Sequence, residues 1–370
     1  MKKIVYIVKT KLHYYPPCIS QIRMLKDLGI EVEVLYGSSE YSAIKILKEE
    51  KIVCTKVGNL NENEKFKFQK VINWLKFRLS LSKKMKCYDK NETFFWFGTA
   101  ETVIPMLGNL FKYKYIVSLL ELMDKQHLKL FLLKPIVKKA LAITVCEEGR
   151  AYLQKDWWNL KKLPFVFPNK TYKHERNKNI TPSCDITKKY VKKIGNEKFI
   201  LYQGIIQNTE ELIEIARALN KTIKKFKLVL MGIDKYNSVK KIKEIYDNIL
   251  FIPYIPSPLH LEITSRAYIG ITYYRPDDLN RVFCAPNKIY EYSGFGIPML
   301  CNDVLGLKNT VGKSGAAVCI DLKEDNIVNA IDRIDKEYKE FSLKSTQFFE
   351  STDNEATMKN LLDYIGFWSK

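Results

Sequence analysis

Residues Arg275–Asp303, RPDDLNRVFCAPNKIYEYSGFGIPMLCND, decide how the chain is read. In turn they give a loop, a short helix, a glycine stop and a buried strand. Pro286 suits a first helical turn, where its missing N–H costs nothing. Asn287 and Glu291 stand four apart and share one helix face. Lys288 sets a cation in the first turn, against the helix dipole, which makes sense when an anion sits between it and the free N–H groups. Gly294 and Gly296 end the helix, and Ile297–Cys301 continues as a strand before Asn302 and Asp303. An ordinary α–β unit has the same local pattern, so its place in the chain matters.

Outward from that stretch, apolar runs recur at Phe199–Tyr202, Phe226–Met231, Leu250–Ile252, Ile269–Tyr273 and Ala316–Ile320. A turn is expected at Gln203–Gly204, with helices over Glu210–Leu219 and Val239–Tyr246. The first half repeats the scheme, with strands at Ile4–Val8, Ile30–Tyr36, Ile52–Val57, Thr93–Phe97, Tyr115–Leu119, Ala142–Val145 and Phe165–Phe167. Strands that alternate with helices and read as continuous apolar runs imply parallel sheets covered on both faces. The expected architecture is α/β, with two Rossmann-like doubly wound domains facing a central cleft. Residues 1–170 form the first domain and 197–350 the second. Residues 171–196, polar and basic, read as a linker. Residues 351–370 read as a final helix crossing back to the first domain. The stretch quoted above then lies beyond a strand's carboxyl end, where open α/β sheets bind ligands.

At 370 residues two domains are the natural division. A mean hydropathy of -0.21 and the absence of any long apolar window argue for a soluble body. The net charge is +20, and by count residues 1–170 carry about +15 of it. That skew points to an anionic partner. Two basic inserts in the first half, 64–86 (EKFKFQKVINWLKFRLSLSKKMK) and 125–139 (KQHLKLFLLKPIVKK), mix lysines with Phe66, Phe68, Trp74, Leu75 and Phe77, and with Leu and Phe in the second. Such segments lie on anionic lipid, or else they are core-facing helices whose lysines point at water. Pro135 is a kink or break in the second. Eight cysteines without a C-x-x-C pair suggest a reducing compartment, with no disulfide framework and no metal site. The opening MKKIVYIVKTK is too short in its apolar run for a signal peptide. The chain is expected to be cytoplasmic, peripheral to the inner membrane face.

The first βα loop, TKLHYYPP, lacks the glycine fingerprint of dinucleotide enzymes, so no nicotinamide or flavin cofactor is expected. His13 and Tyr14 in that loop are acceptor-side candidates, or simply exposed. Glu121, Asp124 and Glu147 follow strand ends and are candidate active-site carboxylates. Asp277 and Asp278, adjacent in an extended loop, should diverge and hold no metal.

The order YQG…LVLMG…IPYIP…AYIGITYY…APNKIYEYSGFGIPML resembles the C-terminal domain of retaining GT-B glycosyltransferases, nearest to family 4 enzymes of bacterial capsule and surface polysaccharide assembly. The resemblance is strong for PNKIYEYSGFGIP and weak before residue 110. It implies transfer of a sugar from a nucleotide sugar, a UDP-sugar first among the candidates, to a lipid-linked or oligosaccharide acceptor, with no metal. Glu291 matches the second glutamate of the family's Glu-x7-Glu motif and would bind the ribose hydroxyls. Phe283 stands where the first glutamate belongs. Ile205, Ile206, Gln207 and Asn208 occupy the place of the usual Arg and Lys, and Leu120 that of a histidine. Lys288 is then the expected cation for the diphosphate, ahead of Arg281 and Arg275. Asn287, Gly204, Tyr254 and Ile255 would complete the nucleotide-sugar site, with Glu121 and Lys288 as catalytic groups. A nucleotide-sugar epimerase of the same fold and a basic nucleic-acid-binding protein are the alternatives. No nucleic-acid motif is present.

Overall fold

A computed structural model describes residues 2–58, 67–207 and 209–368. Phe66, the side chain of Phe68, and Asn208 lie outside the described residues. The chain divides into two compact units, Met1–Tyr172 with Asp353–Lys370, and Lys173–Thr352.

The first unit is built on a seven-stranded sheet ordered β3-β2-β1-β4-β5-β6-β7. Its strands are β1 Lys3–Lys11, β2 Glu31–Ser38, β3 Val53–Lys56, β4 Thr93–Phe97, β5 Lys114–Ser118, β6 Ala142–Val145 and β7 Phe165–Val166. Every pairing is parallel. Successive side chains point to opposite faces of a strand, and both faces here are apolar. Val5, Ile7, Phe95 and Phe97 face helix Lys67–Met85, which contributes Phe77, Leu81 and Met85. Ile4, Tyr6, Phe94 and Trp96 face the other way, sharing a core with Ile22 and Leu25 of helix Pro16–Asp27. Met358, Leu361 and Leu362 of the last helix, Asn354–Tyr364, belong to that same core.

The second unit has a six-stranded, all-parallel sheet ordered β10-β9-β8-β11-β12-β13. Its strands are β8 Phe199–Ile206, β9 Lys227–Asp234, β10 Ile249–Pro253, β11 Ile269–Thr272, β12 Met299–Asn302 and β13 Ala317–Ile320. Ile200, Tyr202, Leu228, Leu230 and Ile271 pack beneath helices Thr209–Lys221 and Glu324–Lys336. Leu201, Val229, Met231 and Met299 pack on the opposite side with Ile289 and Tyr292 of helix Asn287–Gly294. In this order the chain reverses between β8 and β11, a topological switch point.

Local readings change or are refined in four places. Gln203 and Gly204 do not turn: β8 runs on to Ile206, because Gly204 and its register partner Gly232 adopt φ of 132° and 145°. A Cβ on Gly232 would stand 1.8 Å from the Gly204 carbonyl oxygen, so no other residue fits that crossing. Within residues 171–196, read as a linker, Asp185–Ile194 is a helix. Helix His127–Lys139 continues through Pro135 instead of breaking there. Asp277 and Asp278 do not diverge, because the Arg281 guanidinium draws both onto itself.

Candidate functional site

Helix Asn287–Gly294 begins after Pro286, whose extended backbone makes it the N-cap. Two contacts fix how the helix lies. The Tyr292 ring rests flat on Gly270 of β11, where a Cβ would come within 2.4 Å of it, and the Tyr292 hydroxyl donates to the Leu201 carbonyl at 3.1 Å. At the other end Arg176 Nε donates to the Gly294 carbonyl at 2.7 Å, placing a cation at the negative end of the helix. With the helix so held, Glu291 faces the carboxyl end of β8 at the switch point.

There Glu291 enters a polar network. Gln203 Nε2 donates to Glu291 Oε2 in a short hydrogen bond, and Gln203 Oε1 accepts from the Thr264 hydroxyl at 2.7 Å. His260 Nε2 lies 3.3 Å from the same Glu291 Oε2. Burial by itself would raise the Glu291 carboxyl, but His260, His174 and Lys288 outweigh it and hold the group below the usual carboxylate range. Glu291 is thus an anion in a site that removes most of its water. His174 is buried between the Phe295 and Phe349 rings, and neither of its ring nitrogens finds a hydrogen-bond partner among the described residues. Burial pushes its pKa down against the pull of Glu291.

Lys288 is half-buried, with its ammonium over the Tyr202 ring at 4.7 Å and the Tyr274 ring at 5.8 Å. It hangs above Gly204, where a Cβ would stand 3.4 Å from Nζ. Burial lowers its pKa to about 8, with Glu291 opposing the shift. A lysine held in part desolvated, between ring faces and at a strand's carboxyl end, marks a candidate anion site.

The other sequence candidates fall elsewhere. Arg281 is committed to Asp277 and Asp278, and Arg275 pairs with Glu211 at 2.5 Å and Glu210 at 2.6 Å. Both guanidiniums are part-exposed and already engaged with carboxylates, so each would have to share its charge to serve as a reserve cation for a diphosphate. Asn287 is half-buried at the first position of its helix. Tyr254 is exposed beyond β10, while Ile255 is buried in the core and offers a ligand only its backbone.

In the first unit, His13 Nδ1 accepts from the Glu40 backbone N–H at 2.9 Å, and its Nε2 lies 3.4 Å from the Glu40 carboxylate. Tyr14 packs edge-on against that ring and is exposed. Glu121 is exposed after β5, close enough for its charge to act on the Tyr15 hydroxyl. Glu147 caps helix Glu148–Trp158 through the Gly149 and Arg150 N–H groups at 2.8 and 2.9 Å, a structural task that removes it as a candidate. A concavity of about 440 Å³ near Ala142, Lys162, Phe165 and Tyr364 opens at the amino ends of β6 and β7 and gathers none of these residues.

Gln203, His260 and His174 are the site residues that the sequence does not announce. They come from a strand, a loop and the start of the second unit, and only the fold collects them around Glu291.

No family model matches the chain, and no curated protein does. Solved structures do match in fold. HepE of Anabaena, in complex with UDP and glucose, aligns over 99% of this chain and 100% of its own at 10% identity and a TM-score of 0.70. The same protein with UDP-glucose gives a TM-score of 0.72. A glycosyltransferase of Rickettsia africae aligns over 100% and 99% at 13% identity and 0.66. Sucrose-phosphate synthase of Thermosynechococcus elongatus aligns over 100% and 97% at 14% identity and 0.65. At these identities the likeness establishes the fold: two parallel-sheet α/β units of the GT-B glycosyltransferase type.

Proposed function

We propose that this chain is a glycosyltransferase that takes a sugar from a nucleotide diphosphate sugar, a UDP-sugar first, bound at the carboxyl edge of the second unit's sheet. One observation carries the reading. A mostly buried carboxylate, Glu291, and a partly desolvated cation, Lys288, share one turn of a helix at the β8–β11 switch point. They are the two charges that a ribose and a diphosphate require. Glu291 Oε1 would accept the ribose hydroxyls, and Lys288 would meet the diphosphate above Gly204. The positive end of helix Asn287–Gly294 would add to that cation as charge develops on the leaving group. The fold supports the same substrate class, since HepE was solved with UDP and UDP-glucose.

The finer reading is a retaining, metal-independent enzyme of surface-polysaccharide synthesis that works on a lipid-linked saccharide. In it the first unit takes the acceptor, with His13 and Tyr14 as contacts and Glu121 as the candidate group for the transfer step. What supports a lipid surface is the outer side of two helices. Helix Lys67–Met85 buries Phe77, Leu81 and Met85, yet leaves Val71, Ile72, Leu75 and Leu79 exposed among its lysines. Helix His127–Lys139 likewise exposes Leu128 and Phe131. A helix that only faced a core would turn polar groups outward. Apolar groups ringed by lysine suit the boundary of an anionic membrane. Among the described residues no helix is long and apolar enough to cross one.

Thermal-shift screening against UDP-, GDP- and CMP-sugars tests the substrate class. Stabilisation by one nucleotide sugar, and release of its nucleotide only when an acceptor is present, is the expected result. Release or isomerisation of the sugar with no acceptor would favour the epimerase instead. No response to any nucleotide would remove the proposal.

A further inference from the structure

Lys288 and Glu291 are three residues apart on one helix, a spacing at which opposite charges normally pair. They do not spend themselves on each other. The ammonium sits over the Tyr202 ring, and Glu291 Oε2 turns instead to Gln203 and His260. We propose that Gln203 and His260 are positioning residues that hold the Glu291 carboxylate away from Lys288, keeping one charge for a ribose and the other for a diphosphate. The inference rests on the nucleotide-sugar reading of this site.

The network has a defined direction. Gln203 is 6% exposed and Thr264 wholly buried, so each polar atom needs a partner. The Thr264 hydroxyl donates to Gln203 Oε1 while the amide N–H points at Glu291. The flipped amide would set its oxygen against a carboxylate, which accepts and cannot donate, whereas the Thr264 hydroxyl can serve either group, because it can turn its proton to the His260 carbonyl at 3.1 Å. Gln203 is therefore held at both ends, its oxygen by the Thr264 hydroxyl and its N–H by Glu291. The His260 tautomer follows from the same accounting. Its Nδ1 is buried without a partner among the described residues, and a bare acceptor there costs less than an orphaned N–H. The proton belongs on Nε2, which donates to Glu291 Oε2. Both donors converge on one oxygen, and Oε1 is left for the ligand.

The network also makes a choice of sugar. A carboxylate locked in this way reads hydroxyl groups, so the site should favour ribonucleotides over their 2′-deoxy counterparts. A carboxylate released by loss of Gln203 would swing to Lys288, lose that preference and raise the lysine's pKa.

The test is calorimetric titration of the full chain with UDP, GDP and their 2′-deoxy forms, across pH 7 to pH 10. The wild type should prefer the ribonucleotide by at least about tenfold, since a polar site rejects an analogue that lacks its hydroxyl. Gln203→Leu and His260→Leu should keep the melting temperature within a few degrees and reduce the preference to about threefold or less. In Gln203→Leu the alkaline loss of affinity should also move to higher pH, which a merely structural role would not cause. Thr264→Val, equal in shape, should weaken the preference partway and carries the same test should Gln203→Leu not fold. A folded Gln203→Leu or Thr264→Val with wild-type preference and wild-type pH profile overturns the proposal while leaving the nucleotide reading intact. A wild type that binds no nucleotide overturns both.

Discussion

The Lys288 ammonium is kept between two tyrosine rings with its pKa brought down to about 8 by burial. Its protonated form is the one that attracts a diphosphate, so the sign is clear. Affinity for the nucleotide should be full below pH 8 and fall as pH rises through it, approaching about tenfold per pH unit. The ligand's phosphate ionisation, near pH 6, lies below the break, and the uracil N3–H, which ionises toward the alkaline end, is common to wild type and variant. Titration of UDP between pH 7 and pH 10 checks this, and Lys288→Arg, charged throughout, should abolish the break. Glu291 and Lys288 stand out in the sequence as candidates because one short helix, Asn287–Gly294, carries both charges. Gln203 is not legible, since it meets Glu291 across 88 residues of chain and reads as part of a turn. For Arg281 and Arg275 a sequence likewise shows the charge but not the carboxylates paired with it.

At the scale of elements, the Asn287 helix is aimed by its packing on β11. Gly270 leaves room for the Tyr292 ring, and a methyl group there would come within 2.4 Å of it. Gly270→Ala should lower stability by about 1–3 kcal/mol, as overpacking does, and weaken nucleotide binding as the helix shifts. Urea unfolding and calorimetry on the one variant measure both. The parallel strands were legible as apolar runs because both faces of each sheet are covered. Their ends were less so: β8 extends past its apolar run only because two glycines let it cross β9 closely. The outward apolar side chains of the two basic helices are the opposite case, where periodicity alone left open which face the core takes. Leu79→Ser with Phe131→Ser should leave the melting temperature nearly unchanged, since both side chains are exposed. The pair should lose flotation with anionic liposomes. Equal flotation, or none in the wild type, would return these helices to water.

At the scale of the molecule, the last eighteen residues belong to the first unit although the second unit intervenes in the chain. Met358, Leu361, Leu362 and Phe367 lie in the core beside Ile4, Tyr6 and Phe94. Four such side chains contribute roughly 1.5–3 kcal/mol each, comparable to the whole stability of a domain at about 5–15 kcal/mol. Truncation at Thr352 should therefore unfold the first unit, which near-ultraviolet circular dichroism and limited proteolysis would report. The charge skew toward the first half, the exposed apolar stripes there and the two separate charges at the second unit's switch point are the grounds on which different partners are proposed for the two units. Calorimetric titration of the wild type and Glu291→Ala with UDP and UDP-glucose tests the nucleotide site of the second unit. The wild type should bind, with an affinity at least about tenfold weaker in a folded Glu291→Ala, a loss of about 1.4 kcal/mol or more. Equal affinity in the two proteins would contradict the assignment.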